Sequence, residues 1–295
     1  MKIALFGHKI NQETIIYFNR ILKISKVFHS EVYFEEKTLK NCRKVPGFYQ
    51  EDFPIFNHHS NLPPDTQLFF AFGGDGTMLR AQTFIRDYNI PLVGINMGRL
   101  GFLAYFNTYD LTEKCISRLF SGDYEVDERS LLQINYLNKE TPENNFILNE
   151  LAVTRKETTS MIVVEVFINE EKLNSYWADG VIIATPTGST GYSLSCGGPI
   201  IDPQTHNIVI TPIAPHNLFV RPFIISDKEI VRLKVSSREK EYLLTLDSRI
   251  ECLPDRVELT IKKADFTTKI VKFNKLSYLQ ALKEKLYWGI DQRNK

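Results

Sequence analysis

Ala71-Phe72-Gly73-Gly74-Asp75-Gly76-Thr77 follows the apolar run Leu68-Phe69-Phe70 and precedes Met78-Leu79-Arg80-Ala81-Gln82-Thr83-Phe84-Ile85. The apolar run reads as a buried strand and the segment after it as a helix. A strand, three glycines around one carboxylate and a helix start make a place where backbone N–H groups face an anion. Lacking Cβ, the glycines let a pyrophosphate approach the main chain and permit positive φ. A carboxylate in that setting repels phosphate. It makes sense if it takes a proton from a hydroxyl, or if a divalent cation lies between the two. The plainer reading is an Asp-Gly turn capping a helix. The complete Gly-Gly-Asp-Gly-Thr string behind a strand favours phosphate chemistry.

On the N-terminal side, residues 3–6 read as a first strand. Residues 12–24 place Ile15, Phe18, Ile21 and Leu22 on one helical face, and residues 27–34 read as a second strand. Residues 36–65 carry Pro46, Pro54, Pro63, Pro64 and the pair His58-His59, and read as a loop with two exposed histidines. Beyond the glycine loop, Pro91-Leu92-Val93-Gly94-Ile95-Asn96 is another apolar run. Alternating strands and helices point to a parallel sheet with crossover helices. Ligands of such sheets bind beyond the carboxyl ends of the strands, where residues 73–77 and 96–101 both fall. Arg99 is a candidate phosphate contact there. Residues 108–121 read as a helix with Leu111, Ile116, Leu119 and Phe120 inward and Gly122 at its end.

After residue 122 the pattern becomes mostly strand. Runs at 130–137, 146–154, 161–168, 181–184, 208–211, 230–235, 242–246, 257–261 and 267–273 suggest an antiparallel sandwich. Residues 275–288 return to helix, with Leu276, Leu279, Leu282 and Leu286 on one face. The expected organisation is an α/β Rossmann-like domain over 1–122, an all-β, sandwich-like domain over 123–274 and a helix over 275–295 packing back on the first domain. Within the second half, Asn149-Glu150 interrupts an apolar run, and a buried amide and carboxylate need partners such as ribose hydroxyls or adenine. Ala178-Asp179-Gly180 precedes the apolar Val181-Ile182-Ile183-Ala184. Residues 185–195 then carry seven hydroxyl side chains in eleven residues, a dense set of donors and acceptors for a polar ligand. The Tyr192 ring can face a nicotinamide or an adenine base.

The 295 residues, 43% hydrophobic and 24% charged, allow more than one core, and a net charge of +1 gives no broad field for nucleic acid or an anionic membrane. Cys42, Cys115, Cys196 and Cys252 are scattered without a C-x-x-C, which argues against structural zinc and fits reduced thiols in a cytoplasmic protein. No apolar stretch approaches the roughly 20 residues of a membrane span, and the opening residues are too short an apolar run for a signal peptide. No Walker-type Gly-x-x-x-x-Gly-Lys-Ser/Thr occurs.

NAD kinases, 6-phosphofructokinases and diacylglycerol/sphingosine-type lipid kinases all carry the glycine–aspartate string. Asn96-Met97-Gly98-Arg99-Leu100-Gly101-Phe102-Leu103, Asn149-Glu150, Asp179-Gly180 and Thr185-Pro186-Thr187-Gly188-Ser189-Thr190-Gly191-Tyr192-Ser193-Leu194-Ser195-Cys196-Gly197-Gly198-Pro199-Ile200 follow it in order. With this set, and with Ser277-Tyr278 and Lys285-Leu286-Tyr287-Trp288-Gly289 near the end, the chain resembles the bacterial NAD kinases over nearly its whole length. The resemblance implies phosphorylation of NAD by ATP with a divalent cation, usually Mg²⁺, in a homotetramer or homodimer. It implies Asp75 as the general base for the adenosine ribose 2′-hydroxyl, with Gly76 at the diphosphate. Asn149 and Glu150 would be an NAD-binding pair and Asp179 a nicotinamide-side ligand, with Thr190, Gly191, Tyr192, Ser193, Leu194 and Ser195 lining the dinucleotide site. Arg80, Ser160, Ala214 and Arg249 fall at further aligned binding positions, and no side chain is assigned as a metal ligand. Two departures stand out: Gly191 where the family often has alanine, and Trp177 where many members have a basic residue. Lipid or sugar kinase activity, or dinucleotide sensing without catalysis, are the alternatives.

Overall fold

The computed structural model describes residues 1–98, 101–157, 160–273 and 278–286. The chain groups into two units, Met1–Glu128 together with the segment from Thr268 onward, and Arg129–Thr267.

In the first unit, five strands pair in parallel in the order Ile55–Phe56, Glu31–Glu35, Lys2–Gly7, Leu68–Phe72, Leu92–Asn96. Every residue of Leu68–Phe72 is buried, as expected of a parallel strand covered on both faces. Phe69 packs with Phe6, Phe56 and Phe84 on one face, while Phe72 meets Phe18 edge-on on the other. Burying each such ring stabilises the fold by roughly 1.5–3 kcal/mol. The register pairs Gly7 with Phe72, so these two strands end side by side. The strand order reverses between them, and a crevice opens at such a reversal. Helix Gln12–Val27 starts at Asn11, whose side chain accepts from Thr14 N, and buries Ile15, Phe18, Ile21 and Leu22.

Several boundaries differ from the sequence reading. The first helix runs on to Val27, so the second strand begins only at Glu31. The proline-bearing segment holds a helix, Glu36–Cys42, capped by the Glu35 carboxylate on Thr38 N. His59 is half-buried rather than exposed; its ring stacks on Tyr88 at 4.0 Å and its Nδ1 meets the Phe84 carbonyl. The expected helix over 108–121 begins only at Glu113, because Thr112 caps it through Cys115 N, and it closes at Gly122 with φ +78. At the C-terminal end, helix Tyr278–Leu286 buries Ala281 and Leu282 and sets Tyr278 against Phe102, while Leu279, expected on the same face as Leu282, is exposed. Leu276, Ser277 and the Tyr287-Trp288-Gly289 part of the closing motif lie outside the described residues.

The second unit is antiparallel. One of its sheets runs Phe223–Ser226, Asn207–Ile213, Gly180–Ala184, Glu150–Arg155, Glu241–Leu246, Arg249–Pro254. The other pairs Glu171–Ala178, Ile162–Ile168, Val231–Ser236 and the first part of Glu258–Lys272. Leu151, Val153, Val181, Ile183 and Leu244 of one sheet share a core with Val164, Val166, Leu233 and Leu259 of the other. Ile182, Ala184 and Val209 bury the outer face under Ile201, which is why Gly180–Ala184 is apolar at every position. In this unit three described strands escaped the sequence reading: Glu171–Ala178, Phe223–Ser226 and Arg249–Pro254. Conversely, the runs at 257–261 and 267–273 are two ends of one strand, Glu258–Lys272.

Candidate active site

Helix Asp75–Ile85 begins directly at the glycine loop, with Gly74 as its N-cap and no side-chain cap. Its free N–H groups and the helix dipole are therefore directed at whatever occupies the loop. A Cβ on Gly74 or Gly76 would meet nothing within 4 Å, so both present bare backbone outward. Gly73 is different. A Cβ there would lie 2.1 Å from Thr77 Oγ1, so this glycine is needed for packing. The Asp75 carboxylate accepts hydrogen bonds from Phe102 N at 2.7 Å and Leu103 N at 2.9 Å. A Cβ on Gly101 would sit 1.8 Å from Asp75 Oδ1, which explains glycine at that position. The 101–103 segment is thus held by the carboxylate, which retains free lone pairs, since it can accept about four bonds. Arg80 is exposed on the same helix; its Nη1 lies 3.1 Å from Nδ1 of His8, the residue after strand Lys2–Gly7. Both therefore stand at the reversal of strand order. Arg99 lies outside the described residues.

In the second unit, Asn149 occupies a break between strands Phe146–Ile147 and Glu150–Arg155 rather than the middle of one strand. Asn149 Oδ1 and Glu150 Oε2 are both buried without a hydrogen-bond partner. Burial, with the nearby Asp247 charge, pushes the Glu150 carboxyl up to about 7, against a smaller opposing effect from the Tyr192 backbone N–H. A Cβ on Gly191 would fall 2.5 Å from Glu150 Oε2, so the missing methyl at this departure from the family makes room for the carboxylate.

The hydroxyl-dense segment divides into two sets. Thr185, Thr187, Ser189 and Ser193 are buried and bonded internally. Thr185 Oγ1 donates to Leu148 O at 2.6 Å, Ser189 Oγ accepts from Ile201 N at 3.0 Å, and Ser193 Oγ meets Thr211 Oγ1 at 2.8 Å. A Cβ on Gly188 would be 2.1 Å from Asn149 O, so this turn lies directly on the Asn149 backbone. Tyr192 and Ser195 are exposed, while Thr190, Gly191 and Leu194 are half-buried. Most of the hydroxyls therefore build the segment, and few remain for a ligand. The Tyr192 hydroxyl is pushed up by burial and then by Cys196 and Asp179.

Asp179 is half-buried and paired with Arg155 at 2.9 Å, a partner the sequence did not suggest. Ala214, exposed with φ +43, begins the turn that brings His216 N to Trp177 O at 2.8 Å. The Trp177 ring, half exposed, lies 5.0 Å from that of His216. Ser160 is half-buried just before strand Ile162–Ile168. Arg249 is committed elsewhere, since its Nε and both Nη atoms donate to the carbonyls of Leu246, Asn144 and Phe146. Asp247 was also missed. It sits in the two-residue turn between strands Glu241–Leu246 and Arg249–Pro254, and an Asp-Ser pair there reads as ordinary turn chemistry.

Family models for the ATP-NAD kinase N-terminal domain match residues 3–124, and those for the ATP-NAD kinase C-terminal domain match residues 148–273. An NAD kinase of Flavobacterium psychrophilum is 44% identical over the full length of both chains. One from Porphyromonas gingivalis is 39% identical over 98% of each. Among solved structures, a yeast NADH kinase complexed with NADH superposes with a TM-score of 0.88 at 22% identity, covering 100% of this chain and 90% of its own. An NAD kinase from Archaeoglobus fulgidus in complex with ATP gives 0.73 at 23% identity, covering 93% and 95%. With both domain models matched in order and relatives aligned from end to end, the chain belongs to the NAD kinase family.

Proposed function

We propose that the chain transfers the γ-phosphoryl group of ATP to the 2′-hydroxyl of the adenosine ribose of NAD, giving NADP and ADP. The observation that carries this reading is the pair of buried, unpartnered oxygens, Asn149 Oδ1 and Glu150 Oε2. Buried polar atoms are nearly always hydrogen-bonded, so a ligand rich in hydroxyl and amine donors fits them. A dinucleotide supplies such donors.

Asp75 provides the base. The ribose oxygen attacks the γ-phosphorus, the bond to the bridging oxygen of ADP breaks, and the hydroxyl proton passes to the carboxylate. The exposed backbone of Gly74 and Gly76 at the helix N-terminus receives diphosphate. Among the described residues no group of three or more His, Cys, Asp or Glu side chains forms a metal cage. Mg²⁺ carried by a nucleotide takes most of its ligands from phosphate and water, so one carboxylate suffices, and Asp75 would supply it. Such an ion neutralises charge on the transferring phosphoryl group. Positioning and charge neutralisation do most of the work in phosphoryl transfer, and the carboxylate takes the proton late, as the bond to phosphorus forms.

Lipid and sugar kinase readings account for the glycine loop alone, whereas the family match over residues 148–273 covers the half they leave unexplained. A sensor without catalysis would need the Asp75 carboxylate only to hold residues 101–103. We read the enzyme as cytoplasmic and homo-oligomeric. Among the described residues no helix is long and apolar enough to cross a membrane, and Leu218 and Phe219 stand 82% and 92% exposed, as a contact with a second copy would use them. The functional test offers ATP and Mg²⁺ with NAD, diacylglycerol or fructose 6-phosphate. NADP formation with no phosphorylation of the other two is expected, and the reverse pattern overturns the reading.

A further inference from the structure

We infer that Asp247 is the positioning residue of the dinucleotide site, holding Asn149 and Glu150 in place through their backbone without itself touching the substrate. The inference rests on the reading of that pair as NAD ligands.

Asp247 approaches the pair from the turn of a neighbouring hairpin, where Leu246 pairs with Arg249 across two residues. Its side chain is 5% exposed. Oδ2 accepts from Leu148 N at 3.0 Å, and Oδ1 accepts from Asn149 N at 2.8 Å and Glu150 N at 3.2 Å. In return, Asp247 N donates to Glu150 O at 2.9 Å. Thr185 completes the clamp, its N donating to Asn149 O at 2.9 Å and its Oγ1 to Leu148 O. Every described backbone bond of residues 148–150 outside the regular strands thus runs to Asp247 or Thr185, and the strand is broken where they grip it.

Two further features argue that the carboxylate is kept for a purpose. Asp247 has φ +51, a left-handed conformation that aspartate tolerates and that glycine adopts with no Cβ penalty. A buried carboxylate beside a second one, Glu150, is also unfavourable unless strongly bonded. The nearest cation, Arg249, stays 3.8 Å away with its N–H groups on carbonyls. A glycine at this turn would fold more comfortably. What it would lose is the three-fold hold on the segment that aims Asn149 Oδ1 and Glu150 Oε2.

The test compares Asp247→Gly and Asp247→Asn with Asn149→Ala, alone and combined, reading NAD affinity by calorimetry, the KM for ATP and the thermal midpoint. Asp247→Gly relieves the turn, so it is expected to fold, and to weaken NAD binding about tenfold or more with the KM for ATP unchanged. In the Asn149→Ala background the same change should weaken NAD binding clearly less than in the wild type, because only Glu150 is left for Asp247 to position. A second readout follows from charge. The groups facing Glu150 are Asp247, Cys196 and the Tyr192 backbone, with Arg249 next to Asp247. Neutralising Asp247 should also shift the pH dependence of NAD binding to lower pH, because the second charge beside Glu150 is removed. Unchanged NAD affinity in both Asp247 variants, or equal losses with and without Asn149, overturns the inference. Failure of both variants to fold makes Asp247 a support of the whole sheet and overturns it too. If Asn149→Ala itself leaves NAD binding intact, the reading of the pair as ligands has failed first.

Discussion

The two halves of the chain solve the problem of a carboxylate among backbone amides in opposite ways. In the glycine loop, Asp75 accepts from Phe102 N and Leu103 N and sits beside glycines whose outer side is open. In the β-rich unit, Glu150 is half-buried with one oxygen buried and unpartnered, and its carboxyl is pushed up to about 7. The first half offers backbone to an anion and keeps its charged side chain bonded. The second withholds water from an acceptor and leaves it for a ligand to satisfy. Chemistry is expected to depend on the first and affinity on the second.

The largest test of that division is Asp75→Asn. Removing the base should lower turnover by on the order of 10²–10⁴ while NAD affinity changes little. A loss confined to NAD affinity would reverse the roles of the two halves.

Arg249 probes what supports the second half. Arg249→Met leaves the carbonyls of Leu246, Asn144 and Phe146 without their donor and Asp247 without a nearby cation. Stability should fall by about 2–3 kcal/mol, measured by denaturant unfolding. A variant of wild-type stability that has lost nucleotide affinity would make Arg249 a ligand.

Glu150 gives a pH signature. Its carboxyl is pushed up in the folded chain from the ordinary value of 4.5 to about 7, so the folded form holds the extra proton between these limits. Its contribution to stability is complete below about pH 4.5 and is lost as pH rises through about 7. Glu150→Gln should therefore be more stable than the wild type at pH 8, by about 1–3 kcal/mol, with the difference vanishing toward pH 4.5. NAD affinity in the wild type should rise through the same upper window, as the carboxylate ionises and accepts from the ligand, and this dependence should be absent in Glu150→Gln.

The smallest effect is expected from Gly191→Ala. The new methyl would meet Glu150 Oε2, the movable end of a side chain, so the carboxylate shifts without disturbing the fold. NAD affinity should change by about two- to fivefold with turnover unaltered. A collapse in turnover would tie Glu150 to the chemical step.

Residues whose role is set by backbone geometry were legible in the sequence. Three glycines around Asp75 after an apolar strand announced the loop, and the fully apolar Leu68–Phe72 announced a strand buried on both faces. Hydroxyls and charges were harder, because composition does not say which way a side chain points. Ser193 resembles a ligand residue by motif, yet it is buried against Thr211, and Arg249 is bonded to three carbonyls. Asp247 was hidden by its own turn. Only the fold brings residue 247 beside residues 148–150. The missed strand Glu171–Ala178 is half polar because it lies at a sheet edge, and there alternation is all that a sequence can show.

The central claim is that one hydroxyl of NAD receives the phosphoryl group. Phosphorus NMR of the product formed from NAD, ATP and Mg²⁺ by the purified chain tests it most directly. One new phosphomonoester is expected, on the 2′-oxygen of the adenosine ribose, formed mole for mole with ADP. ADP released without that ester, or an ester on any other oxygen, would contradict it.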